Sequence, residues 1–122
     1  MKPETVERIR RFTADRQWEK YHTPENLAKS IAIEAAELLE CFQWDPTGGD
    51  PVHVAEELAD VLVYCRNLLD ALGLDEDEIV NSKMAKNEAK YPVELAIGSA
   101  AKYTEYKGPR AENSKQCGAQ KE

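Results

Sequence analysis

The sequence predicts an all-α protein with four principal helices, and three observations predict it. Apolar residues recur at three-and-four spacing in successive segments. Residues suited to helix starts and stops stand between those segments, and no run alternates polar with apolar as a half-buried strand would.

The first segment, Glu4 to about Tyr21, carries Val6, Ile9, Phe12 and Thr13 at helical spacing among Arg8, Arg10, Arg11, Asp15 and Arg16, so a helix is expected over it. Trp18, Tyr21 and His22 end it. An indole, a phenol and an imidazole together have two readings: a wall on which a base stacks, or a plug closing one end of the core. Thr23-Pro24-Glu25 is a helix start, with a hydroxyl cap, proline at the first helical position and an acid in the first turn. That second helix is expected to run to Phe42 or Trp44, followed by a loop at Asp45–Asp50 (DPTGGD). Asp50-Pro51 repeats the start signal, and Gly73 stops the third helix after Leu72. Asp75 with Glu78 resembles a capping box opening a fourth helix, which reaches Lys90 or Tyr91 before Pro92. Apolar density then falls. Glu94 to Tyr106 is expected to form a short helix or docking arm, and residues 107–122 a disordered tail beside a domain spanning 1–106.

Composition narrows the function. A chain of 122 residues makes one domain, of a size at which oligomerisation often adds buried area. With 16 basic and 23 acidic side chains the net charge is −7, which disfavours a nucleic-acid polymer gripped by a broad basic surface. No apolar run approaches a membrane span and no signal peptide is evident, so a soluble, cytoplasmic protein is expected. Cys41, Cys65 and Cys117 are odd in number and lack CxxC spacing, against a disulfide framework or a zinc knuckle.

The chemistry concentrates in two stretches, Ile31–Trp44 and Ala55–Tyr64, each holding two acids three residues apart: Glu34 with Glu37, and Glu57 with Asp60. Acids so spaced lie about 60° apart on one helix face. Usually that marks a solvated face. Here, however, Glu34 falls between Leu27 and Leu38 on one side and Ser30 and Cys41 on the other, in mid-stripe, while Lys29, Glu40 and Gln43 fall opposite. Glu57 likewise projects between Tyr64 and Leu68, whereas Glu56 turns toward Asn67 and Asp70. Ionised carboxylates on a core-facing stripe are costly unless paired or bound to a cation. Four of them, with oxygen donors only and no required imidazole, suit Mg²⁺, with Mn²⁺ as a substitute, better than Zn²⁺. On the fourth helix Lys83, Asn87 and Lys90 share one face beside Val80, Met84 and Tyr91, either as a solvated lysine face or as a grip for phosphates.

At these residues the chain resembles the MazG-like all-α nucleoside triphosphate pyrophosphohydrolases, and most nearly the dCTP pyrophosphatase branch. The acid pairs E34-A-A-E37 and E57-L-A-D60 carry the resemblance, together with W18-E-K-Y21-H22-T-P24-E-N26-L27, F42-Q43-W44, D60-V-L-V-Y64, S82-K83-M84, N87 and K90-Y91-P92. They stand in the family's order from about Ile9 to Pro92. The resemblance implies a four-helix-bundle-type fold, oligomeric through helix packing as a homodimer or homotetramer. It further implies Mg²⁺-dependent hydrolysis of a (deoxy)nucleoside triphosphate to monophosphate and pyrophosphate, with dCTP or a modified pyrimidine nucleotide favoured.

Carried over residue by residue, Glu34, Glu37, Glu57 and Asp60 are the implied metal ligands. Trp18, His22 and Trp44 are implied around the base, and Tyr64, Lys83, Asn87, Lys90 and Tyr91 at sugar or phosphate. Lys90 stands where the family often has arginine, which keeps the charge and loses the bidentate fork. Glu37, nearer the edge of its stripe, is the expected general base. Two rivals are weaker. A di-iron or di-manganese redox bundle needs Glu-x-x-His pairs, and here His22 and His53 precede Glu25 and Glu56 in the reverse order. His53 and Glu57 lie one helical turn apart, but two contacts do not complete a transition-metal site. The other rival is a non-catalytic helical metal-binding or interaction module, which would release no pyrophosphate.

Overall fold

The computed structural model describes residues 1–105 and is helical throughout, with no strand among the described residues. The expected tail, 107–122, and Cys117 lie outside the described residues. Five α-helices follow in order: α1 (Pro3–Asp15), α2 (Pro24–Glu40), α3 (Pro51–Leu72), α4 (Glu76–Lys90) and the short α5 (Val93–Ala96), with single 3₁₀ turns at Glu19–Tyr21 and Tyr103–Glu105. The chain divides into two units, Met1–Glu76 and Asp77 onward.

Local chemistry accounts for the boundaries. Thr23 Oγ1 accepts from the Asn26 amide at 3.2 Å and Asp50 Oδ1 from the Val52 amide at 2.9 Å, so both expected caps form ahead of Pro24 and Pro51. Gly73, with φ of 64°, ends α3 in the left-handed conformation, and the Leu74 amide reaches back to the Leu69 carbonyl at 2.9 Å.

The first helix stops earlier than its periodicity suggests, at Asp15 rather than near Tyr21. Gln17 adopts φ of 55°, and the Gln17 and Trp18 amides return to the Ala14 and Thr13 carbonyls, closing the helix with the same hydrogen-bond pattern as at Gly73. No glycine advertises this stop. The consequence is local: the chain turns, and Trp18 swings back edge-on to Phe12, with ring centroids 5.6 Å apart. The second helix likewise ends at Glu40, its last turn tightening through Phe42 and Gln43 amides bonded three residues back. The arm expected at Glu94–Tyr106 holds the single turn α5 and the 3₁₀ turn.

In the first unit α2 and α1 both pack on α3. Cys41 and His53 line one cavity, Ser30 and Tyr64 another, so residue numbers fall along α2 as they rise along α3 and the two helices run antiparallel. The face of α2 expected inward is inward: Leu27 is 1% exposed, and Ser30, Glu34, Leu38 and Cys41 are half-buried. Away from Glu57, α3 holds a surprise, because Arg66 and Asn67 are buried rather than solvated. Arg10 on α1 reaches Asp70 with two hydrogen bonds, Nε to Oδ2 at 3.0 Å and Nη2 to Oδ1 at 2.8 Å, and Arg66 adds a third at 2.9 Å. Those bonds hold the Asp70 carboxyl below the usual carboxylate range, Arg10 contributing most.

Candidate metal and nucleotide site

Because α2 and α3 are antiparallel, the acid pair of one faces the acid pair of the other. Carboxylate oxygens of Glu34, Glu37 and Glu57 lie within 4.8 Å of one another. Glu34 and Glu57 each bury one oxygen, Oε2, with no hydrogen-bond partner. Glu37 is the exposed member, positioned between them. Asp60 is exposed and stands outside that trio of close oxygens, yet its charge acts on both Glu34 and Glu57.

The electrostatics follow from burial and like charge. Desolvation is the largest cause raising the Glu34 carboxyl above its ordinary value, followed by Glu37 and then the charges of Asp60 and Glu57. Glu57 is raised in the same way, by burial and then Glu37, with His53 opposing. Ionised, these groups repel one another, and two buried oxygens lack a donor. A hard divalent cation would supply the missing partner to both oxygens, and a donor set of carboxylate oxygens is one that Mg²⁺ and Mn²⁺ accept.

One turn along both helices from the acids lies a cavity of about 310 Å³ lined by Trp18, Tyr21, His22, Asn26, Leu27, Ser30 and Tyr64. Ser30 precedes Glu34 by four residues and Tyr64 follows Asp60 by four, so this cavity opens on the same seam as the carboxylates. His22 meets Tyr64 edge to face, with centroids 6.4 Å apart. Trp18 thus braces on Phe12 and lines the cavity, and with Trp18 42% and Tyr21 60% exposed the cluster does not close the core as a plug. Asn26 is a lining residue that helical periodicity does not single out. Its Nδ2 donates to the Tyr21 carbonyl at 3.1 Å, fixing the turn that carries the aromatics.

Of the remaining expected residues, Trp44 is 89% exposed and does not line this cavity. It follows the last turn of α2, before a loop pinned where Thr47 donates through its amide and hydroxyl to Asp45 Oδ1, at 2.9 and 2.7 Å. Lys83, Asn87, Lys90 and Tyr91 belong to the second unit, the first three along one side of α4 and Tyr91 just past its end. A larger cavity of about 600 Å³ between α1 and α3 touches Arg10, Thr13, His22, Asn67 and Asp70, and none of the clustered glutamates lines it. No helix among the described residues is long and apolar enough to cross a membrane.

Residues 29–106 match the MazG-like family. The chain is similar to dCTP pyrophosphatase 1 of Rattus norvegicus, 42% identical over 123 aligned residues that cover 89% of this chain and 72% of the relative. It is 42% identical to dCTP pyrophosphatase 1 of Homo sapiens, over 83% of this chain and 67% of the relative. Among solved structures it is similar to a pyrophosphatase from Archaeoglobus fulgidus, with a TM-score of 0.69 and 46% identity, over 73% of this chain and 90% of that one.

Proposed function

The chain belongs to the MazG-like family, and from that premise we propose that it is a divalent-metal-dependent enzyme hydrolysing a (deoxy)nucleoside triphosphate to monophosphate and pyrophosphate. The preferred substrate is dCTP, the nucleotide in the relatives' names, or a modified pyrimidine nucleotide. The observation that carries this reading is the pair of buried, partnerless oxygens on Glu34 and Glu57 beside a cavity walled by aromatic rings.

Glu34, Glu37, Glu57 and Asp60 would hold Mg²⁺, with Mn²⁺ able to substitute. Bound there, the ion would offset triphosphate charge and supply Lewis-acid activation of a water. The chain's own residues do the rest. Trp18 and His22 receive the base, Tyr64 the sugar, and Asn26 and Ser30 offer polar contacts at the cavity wall. Lys83, Asn87, Lys90 and Tyr91, on the second unit, are the residues proposed for sugar and phosphates. Glu37, the most exposed of the three clustered glutamates, takes the proton of the water that attacks the α-phosphorus as pyrophosphate leaves.

The working form is a homodimer or homotetramer. Ile33 at 58%, Leu39 at 69%, Val52 at 64% and Leu62 at 51% exposure leave apolar area on α2 and α3 that a second copy would cover, and an exposed Trp44 is free to close a base site on assembly. Action on the cytoplasmic nucleotide pool, clearing unwanted triphosphates, fits this chemistry.

The test is a panel of canonical and modified dNTPs with Mg²⁺, assayed for both phosphate products. Pyrophosphate with a pyrimidine preference is expected. Orthophosphate as the first product would overturn attack at the α-phosphorus, and no product with any nucleotide would favour a non-catalytic module.

A further inference from the structure

We propose that the cavity between α1 and α3 is a second small-molecule site, one that takes a neutral nucleobase or nucleoside, and that it communicates with the substrate cavity through His22. Its volume of about 600 Å³ lies within the range of small-ligand pockets, and its walls come from α1, the turn after it and α3, all within the first unit. None of the residues proposed for metal or phosphate lines it.

The observation that carries the proposal is Asn67. It is 8% exposed, it lines the cavity, and among the described residues its side-chain amide has no hydrogen-bond partner. Thr13, 7% exposed, lines the α1 wall, and its hydroxyl is likewise unpartnered among the described residues. Buried amides and hydroxyls are normally satisfied, so two orphaned ones on one cavity form an edge suited to a polar ligand. An amide sets donors beside an acceptor. That combination matches the edge of a nucleobase, adenine most closely. Arg10 and Arg11 stand at the exposed rim, where a guanidinium plane can stack on a flat ring.

Charge selects against phosphate. Arg10 is committed to Asp70 by two hydrogen bonds and Arg66 adds a third, so that acid is offset within the wall. Of the lining side chains this leaves Arg11 as the fixed cation against Glu7 and Glu19. A phosphate would meet a surplus of acids, and an uncharged nucleoside escapes that repulsion. His22 lines both this cavity and the one holding Trp18 and Tyr64, where it packs edge to face on Tyr64 with centroids 6.4 Å apart. A ligand on one side of the imidazole therefore alters the wall of the other, and linkage makes the effect equal in both directions. The link rests on the substrate reading of the Trp18 cavity; the nucleoside site does not.

The experiment titrates the full chain with adenosine by calorimetry, alone and at increasing dCMP, and repeats the titration with Asn67→Leu. Wild type is expected to bind adenosine, to bind adenosine 5′-monophosphate more weakly, and to show a dCMP effect on adenosine affinity that levels off at about fivefold or more. Asn67→Leu should lower adenosine affinity about tenfold or more and leave dCMP binding in place, while melting no lower than wild type, because the replacement removes an unsatisfied amide. A variant that loses stability and still binds adenosine would show that the amide serves the fold, and overturns the proposal. Adenosine affinity that falls without limit as dCMP rises puts adenosine in the substrate cavity and overturns it too, as does a wild type that binds no adenosine. Neither result touches the hydrolase reading. Binding of dCMP that leaves adenosine affinity unmoved overturns the link through His22. Adenosine binding without pyrophosphate release from any dNTP removes the hydrolase reading and leaves the nucleoside site standing.

Discussion

Glu34 on α2 and Glu57 on α3 face each other across the helix seam, each with a buried oxygen that no donor satisfies. Such a pair destabilises the fold unless a proton or a cation joins it. Glu34→Gln is therefore expected to raise the melting temperature of the metal-free protein at neutral pH, while lowering Mg²⁺ affinity by about tenfold or more. Thermal melts with and without Mg²⁺ read both effects. A variant that loses stability and keeps its Mg²⁺ response would show that Glu34 serves packing alone.

Glu37 is set between those two acids and more open to solvent, so its replacement separates chemistry from binding. Glu37→Gln should lower turnover by about 10²–10⁴-fold while nucleotide affinity, measured by calorimetry, falls far less, because Glu34, Glu57 and Asp60 remain to hold the ion. Near-normal turnover would remove Glu37 from the proton-transfer step.

Stability should respond to pH in two windows of opposite sign. Glu34 and Glu57 have folded-state values raised by burial, so the fold holds their protons more tightly than the unfolded chain does. Their contribution is present below the ordinary carboxylate range and is lost as pH rises through the raised values. Asp70 is lowered chiefly by Arg10, so its contribution is present above that range and is lost as pH falls below it. Melting temperature of the metal-free chain should therefore peak in the mildly acid region and decline toward neutrality. Saturating Mg²⁺ should flatten the decline, because it favours the ionised carboxylates.

The Arg10–Asp70–Arg66 group ties α1 to α3, and its members differ in burial. Arg66 is 9% exposed at its side chain and Asp70 29%, whereas Arg10 is 52% exposed. Asp70→Ala strands a buried guanidinium whose remaining acid, Glu76, lies 3.7 Å away, and should cost about 2–3 kcal/mol in urea unfolding. Arg10→Ala removes a solvent-screened partner and should cost clearly less. Equal losses would mean that α1 docking, not the buried charge, sets the energy.

Gln17 occupies the left-handed conformation that ends α1. Gln17→Gly relieves the contact between a Cβ and the following carbonyl, partly offset by a more flexible unfolded chain. It should stabilise the protein by about 0.5–1 kcal/mol, read from chemical denaturation. A loss of stability would show that the Gln17 side chain contributes contacts of its own.

What the sequence determined by itself was whatever depends on neighbours along the chain. Proline and cap pairs set the starts of α2 and α3, Gly73 set the end of α3, and the 3.6-residue period turned Leu27 and Glu34 inward. The stop at Asp15 escaped it because Gln17 carries no signal for a left-handed residue; the backbone bonds of Thr13 and Ala14 impose it. Tertiary structure alone decided the rest. Which acids converge depends on the antiparallel register of α2 on α3, and that register draws Glu34, Glu37 and Glu57 together while leaving Asp60 at the margin. The burial of Arg66 and Asn67, the cavity shared by Trp18 and Tyr64, and the cavity shared by Glu37 and His53 likewise join residues far apart in sequence. Periodicity specifies the face a side chain occupies, and only packing specifies what stands opposite it.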